Sequence, residues 1–207
     1  MPPKVKYQKE EIIAAALALV REEGAGALTA RKMAAKLGAS TRPLFSGFES
    51  MEDLRRTVYD RAKEVYRGYV ERGLAGPIPF FGVWQQYLRF AREEKELYRL
   101  LFLTPPVRST GGALEAMAYS RDLARPSLMR IYRMNEREAD SFFRDLWLVA
   151  FSFATLIVTD NCPYTDEEML AVGTEISLSV CKAYKEVPGL PEGNFDRDAI
   201  FRELVKE

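Results

Sequence analysis

Apolar residues recur at helical spacing along nearly the whole chain, and no clear alternating strand pattern interrupts them. Between Glu10 and Glu23, Ile12, Ile13, Ala16, Leu17, Leu19 and Val20 form one stripe, which Gly24-Ala25-Gly26 ends. The stretch from Leu28 to Phe48 predicts two short helices around a tight turn. Thr29 is placed to cap the first, whose apolar face is Met33, Ala34 and Leu37. Gly38 stands where that helix must stop, because glycine takes the left-handed conformation cheaply. Ser40 can cap the second helix, with Pro43 in its first turn and Leu44 and Phe48 facing inward at i, i+4. Helix, turn and helix with small Ala34 at the crossing is the layout of a DNA-reading helix-turn-helix. On spacing alone, an ordinary helical hairpin fits equally well.

The periodicity continues. Ser50 and Asp53 predict the start of a helix to about Arg72, broken by Gly73, Gly76, Pro77 and Pro79. At ~30 Å, that helix can join an N-terminal unit (1–54) to a second one (55–207), with the boundary placed inside it. An aromatic helix follows over 80–94, then one over 95–103 stopped by Thr104-Pro105-Pro106. A helical pattern over 113–134 contains Pro126, expected to break or kink it near Arg125. Asn135 caps a helix to about Thr159. Thr165 with Glu168 makes a capping box for one reaching Glu186, and 196–206 forms a short last helix. The fold class is therefore all-α.

Charge changes the picture a little. The chain is formally neutral, yet residues 1–50 carry +3 and the remainder −3, a weak local polyanion footprint. Histidine is absent, which removes the commonest general base and zinc ligand together. With no GxSxG, phosphate-binding glycine loop or paired-metal spacing, the expectation is a protein that is no enzyme and carries no cofactor or metal. Cys162 and Cys181 read as two reduced core thiols. Met1-Pro2-Pro3-Lys4 leads into charge, and the longest apolar run, Leu146 to Val158, is too short to span a bilayer. A soluble, cytoplasmic protein is expected, without a membrane partner.

The first 55 residues resemble the tetracycline-repressor (TetR) family of bacterial transcription regulators. The resemblance rests on Ile12-Ile13-Ala14-Ala15-Ala16-Leu17, Glu23-Gly24, Leu28-Thr29, Met33-Ala34, Leu37-Gly38, Ser40, Leu44-Phe45, Phe48 and Met51-Glu52-Asp53-Leu54, in that order and spacing. A looser likeness to one branch's sensing domain runs from Arg89 to Phe102. The family implies an N-terminal three-helix DNA-binding domain and a larger C-terminal domain for effector binding and dimerisation. It also implies a homodimer on a palindromic operator in double-stranded DNA, released by a small-molecule effector. Thr29, Arg31 and Ser40 stand at helix starts that suit phosphate oxygens. Thr41, Arg42 and Pro43 match the family's base-reading positions; Arg42 can hold guanine O6/N7 and Pro43 can pack on a thymine methyl. Phe45 replaces the family's usual tyrosine, Gly47 a polar residue and Met51 a lysine, so three phosphate contacts are thinned. Lys4, Lys6, Arg55 and Arg56 are candidate compensators.

Leu146 to Val158 is apolar nearly all round, and Met169, Val172, Gly173, Ile176 and Val180 form a stripe on the next helix. Helices without a polar face need cover on two sides, which predicts a four-helix dimer interface using Trp147, Ala150, Ala154 and Ile157 with that stripe. A monomeric core is the plainer alternative. Phe80, Trp84, Tyr87, Phe102, Met117 and Phe151 are candidates to line an effector cavity, against the reading that they are plain core. Arg121 and Arg125 would suit an anionic effector, against that of a solvated surface. The rival function is a helical small-molecule carrier or enzyme that uses such a cavity and reads no DNA.

Overall fold

The computed structural model describes residues 7–41, 47–104 and 112–205. Among these residues are nine α-helices and no strand: α1 (Lys9–Glu23), α2 (Ala30–Leu37), α3 (Met51–Leu74), α4 (Pro79–Glu93), α5 (Lys95–Tyr98), α6 (Ala113–Tyr132), α7 (Glu136–Val158), α8 (Asp166–Glu186) and α9 (Arg197–Leu204). A 3-10 turn spans Ala25–Ala27, and a π-helical turn, Arg99–Leu103, extends α5.

The ends fall where local chemistry demands. Thr29 Oγ1 accepts the Lys32 N–H at 3.3 Å, and Ser50 Oγ accepts that of Asp53 at 3.1 Å. Asn135 with Glu138 and Thr165 with Glu168 complete capping boxes for α7 and α8. Gly38 adopts φ 61° and ψ 31°, the left-handed stop expected of it. The second helix of the motif was expected over residues that include 42–46. These lie outside the described residues, as do Arg42, Pro43 and Phe45.

Two expectations change. α6 runs unbroken through Pro126. The lost hydrogen bond and ring clash cost about 3 kcal/mol, and tertiary burial of Ala116, Ser120, Ala124 and Leu128 offsets them. Gly73 does not stop α3 but lies inside it, because it lets α4 approach: a Cβ there would stand 2.5 Å from the Val83 nitrogen, and one on Gly82 2.3 Å from the Gly73 oxygen. The breaks come one turn later, through Gly76 and Pro77.

α3 is the spine, packed on α1 and more extensively on α4. A single hydrophobic core runs from Ile12 of α1 to Met169 of α8. Its centre is a knot of rings from Tyr66, Tyr69, Tyr87, Phe90, Tyr98 and Phe102. Tyr98 and Phe102 have centroids 4.7 Å apart, and Tyr66 and Phe90 5.1 Å. Three of the knot's hydroxyls are paired: that of Tyr66 with Ser120 at 2.8 Å, and those of Tyr87 and Tyr98 with each other at 3.1 Å. At 23 residues α7 is long enough to cross a bilayer, and its most apolar 18-residue window is apolar enough, but half of that window is buried inside the subunit, as in a core helix.

Candidate DNA-binding face and effector cavity

α1 and α2 share a small core of Ile13, Leu17, Val20 and Met33, and ion pairs lock them together outside it. Lys36 reaches Glu22 at 2.7 Å, and Lys32 pairs with Glu23. Those two lysines are thus spent on α1. Arg31 is exposed and has no ion-pair partner among the described residues, so its guanidinium is available to a phosphate. Thr29, Ser40 and Thr41 are exposed with it. The first turn of α2 offers free N–H groups to an anion, whereas the start of α3 is filled by its own Glu52 and Asp53.

The proposed compensators separate. Arg55 donates to the Leu28 carbonyl at 3.1 Å and lies 3.6 Å from Glu52, so it braces α3 against the segment before α2. Arg56 is exposed. Lys4 and Lys6 lie outside the described residues. The sequence reading missed Tyr7, whose hydroxyl donates to the Leu37 carbonyl and pins the N-terminal segment to the end of α2. It also missed Lys9, 4.9 Å above the Phe48 ring. Among the described residues, a Cβ at Gly47 would meet only Ile12 Cδ1, at 3.8 Å.

A second set of contacts ties α1 to the rest of the chain. Arg21 donates two hydrogen bonds to Glu94, at 2.7 and 2.8 Å, and that carboxylate raises the guanidinium's pKa despite partial burial. Glu96 lies over Gly24, 2.9 Å from where a Cβ would be. Arg99 bonds both Glu96 and the Val158 carbonyl at the end of α7. Tyr69 donates to Glu93 at 2.8 Å, and burial with the neighbouring carboxylates pushes its pKa up to about 12.

These contacts place the DNA-binding candidates, and the comparisons give them a family. Residues 12–58 match the sequence profile of the bacterial regulatory proteins of the tetR family. The chain carries a TetR-family DNA-binding domain. As a TetR-type regulator it binds DNA through that domain. The fold also resembles a crystal structure from Pseudomonas aeruginosa PAO1, described there as a candidate transcriptional regulator. The TM-score is 0.59 at 12% identity, over 86% of this chain and 92% of that one, a likeness of fold. No curated protein matches the sequence significantly.

The second half of this TetR-type chain differs from expectation in which faces look inward. Trp147, Ala150, Ala154, Ile157 and Met169 are buried in their own subunit. Gly173 is buried too: its missing side chain admits the Trp84 ring, 2.6 Å from the Cβ position, not a partner helix. Val172, Ile176 and Val180 remain half-buried, and Leu148 and Leu178 are exposed. Of the ring candidates, Tyr87 and Phe102 fill the core knot, as plain core residues do. The space beside Tyr87 holds only about 20 Å³. Phe80 and Trp84 border a larger cleft of about 230 Å³, whereas Met117 and Phe151 line neither space. Arg125 is engaged by Asp140 at 2.6 Å and Arg121 by Asp122 at 3.0 Å, so neither is a free anion receptor.

Proposed function

We propose that the protein is a cytoplasmic, ligand-responsive repressor that binds a palindromic operator as a homodimer and leaves it when a small molecule binds the C-terminal half. The observation that carries this reading is the α2–Gly38 turn inside the TetR-family match, with Thr29, Arg31, Ser40 and Thr41 exposed and Lys32 and Lys36 held by α1. Arg31 and the α2 N-terminus would hold phosphates, while Thr41, Arg42 and Pro43 would read bases. The outward sides of α7 and α8, with Leu148, Val172, Ile176 and Val180, would meet the second copy.

The signal has a physical route. An effector acts only by binding one conformation better than another. Movement of α7 would pull on Arg99 through the Val158 carbonyl, and Arg99 holds Glu96 over Gly24 at the end of α1. The Arg21–Glu94 pair adds a second link to α1. Tilting α1 would change the spacing of two reading heads that must match half-sites about 34 Å apart.

A mobility-shift assay with the DNA upstream of the protein's own gene tests this reading. A retarded band that persists against excess unrelated DNA, and weakens steeply with salt, is expected. Absence of binding even at low salt would instead favour a small-molecule carrier or enzyme.

A further inference from the structure

α2 carries Thr29 and Arg31 at its start and leads into Gly38, Ser40 and Thr41, yet packing holds it only at its middle. Of its eight residues, Met33 and Ala34 alone are buried. The ion pairs that tie Lys32 and Lys36 to α1 lie at the surface, where salt screens them. Each end of α2 is held instead by a side chain from outside the motif. At the front, the Arg55 guanidinium of α3 donates to the Leu28 carbonyl at 3.1 Å, one residue before the Thr29 cap. At the back, the Tyr7 hydroxyl donates to the carbonyl of Leu37, the last residue of α2. A helix end leaves its last four carbonyls without an intrahelical donor. The Gly38 and Ala39 N–H groups close on those of Ala35 and Ala34, at 3.1 and 3.0 Å. Tyr7 supplies the donor for Leu37, at the point where the turn begins.

Leverage makes these two holds matter. At 1.5 Å per residue α2 is about 12 Å long, so a pivot of about 10° around its buried middle moves each end by about 1 Å. A recognition site must be held within about 0.5 Å to keep its hydrogen bonds. Building on the operator-reading assignment above, we propose that Tyr7 and Arg55 are positioning residues for base recognition. Neither touches DNA; together they fix the tilt of α2, and with it the register of Ser40, Thr41 and the residues that follow against the base edges. Phosphate contacts give affinity for any sequence, whereas base contacts depend on this register. Tyr7 and Arg55 therefore act on the preference for operator over other DNA, and not on the salt-dependent grip.

Tyr7→Phe keeps the ring and removes only the hydroxyl, so helical circular dichroism at room temperature should match the wild type. On the DNA upstream of the protein's own gene, the variant should bind about three- to tenfold more weakly per reading head, the worth of one neutral hydrogen bond. Its affinity for an unrelated duplex of the same length should be unchanged, as should the slope of log affinity against log salt. Arg55→Gln should show the same pattern. In the DNA-free protein, the Gly38 and Ala39 amides should exchange with solvent about three- to tenfold faster in Tyr7→Phe. A role in stability alone would leave the folded variant with its full preference, so lost preference at full helix content separates the two roles. Unchanged operator affinity, or unchanged exchange, would overturn the assignment. An equal loss on both duplexes would overturn it too, as would a slope lowered by about 0.9 per lost phosphate in Arg55→Gln, because these side chains would then be holding the DNA backbone. A wild-type protein with no preference for the upstream DNA would defeat the operator reading and this proposal with it, whereas a preference that survives both substitutions defeats the proposal alone.

Discussion

The two ends of α3 meet very different surroundings. Near its start, α1 and α2 form a small unit held by caps, a left-handed glycine and ion pairs at the surface. Toward its end, α3 enters a knot of buried rings and the close Gly73–Gly82 crossing with α4. In the first region the backbone dictates residue types: a turn at φ 61° calls for glycine at position 38, and a helix start calls for Thr29. In the second, many apolar residues would satisfy the backbone, and function depends on how completely they fill space. A motif is therefore specific in the first region, and a cavity is specific in the second.

Breaking the ring knot should produce the largest effect. Phe90→Ala removes a fully buried ring in contact with Tyr66, Tyr69, Tyr98 and Phe102, and should cost about 3–5 kcal/mol in urea unfolding. Because the core is continuous, both halves should melt together. A separate surviving transition would show that the two halves unfold independently and would contradict the continuous core. Gly38→Ala should cost less, about 1–2 kcal/mol for a non-glycine in the left-handed region. Its loss of DNA affinity should exceed what its stability loss explains. Arg21→Ala should lower stability by about 0.2–1 kcal/mol, since the pair is partly exposed. If Arg21–Glu94 links the regions, this variant should keep operator affinity yet respond less to effector.

The smallest effect is expected from neutral pH. With no histidine, stability should be flat between about pH 6 and 8. Burial pushes Tyr98 up to about 12, from an ordinary value of 10.0. A raised folded pKa keeps its full stabilisation below the unfolded value and loses it as pH rises through the folded one. Stability should therefore fall between about pH 10 and 12, as thermal melts across pH would show. A marked dependence near pH 7 would contradict the flat profile that the absence of histidine predicts.

Legibility in the sequence follows the same division. Thr29, Gly38, Ser50, Asn135 and Thr165 could be read directly, because each answers a need of its own backbone. The all-α class followed from periodicity, and the helix ends from caps and breakers. The burial of Trp147, Ala150, Ala154 and Ile157 in their own subunit was not legible, because an all-round apolar helix does not say which side meets that subunit. Gly173 signalled a close approach, but its neighbour, Trp84, stands 89 positions earlier in the chain. The cleft beside it depends on that packing and has no signature in any single stretch. Pro126 does not end its helix, because tertiary burial overrides a local preference.

The central claim is that this chain reads DNA as a symmetric pair of TetR-type heads. Selection of bound sites from random duplex DNA tests it most directly. The account predicts enriched sites that are two-fold symmetric, with half-site centres about 10 base pairs apart. In Arg42→Ala, one position per half-site should relax, at a cost of about 1–3 kcal/mol. Recovery of no preferred sequence would contradict the account.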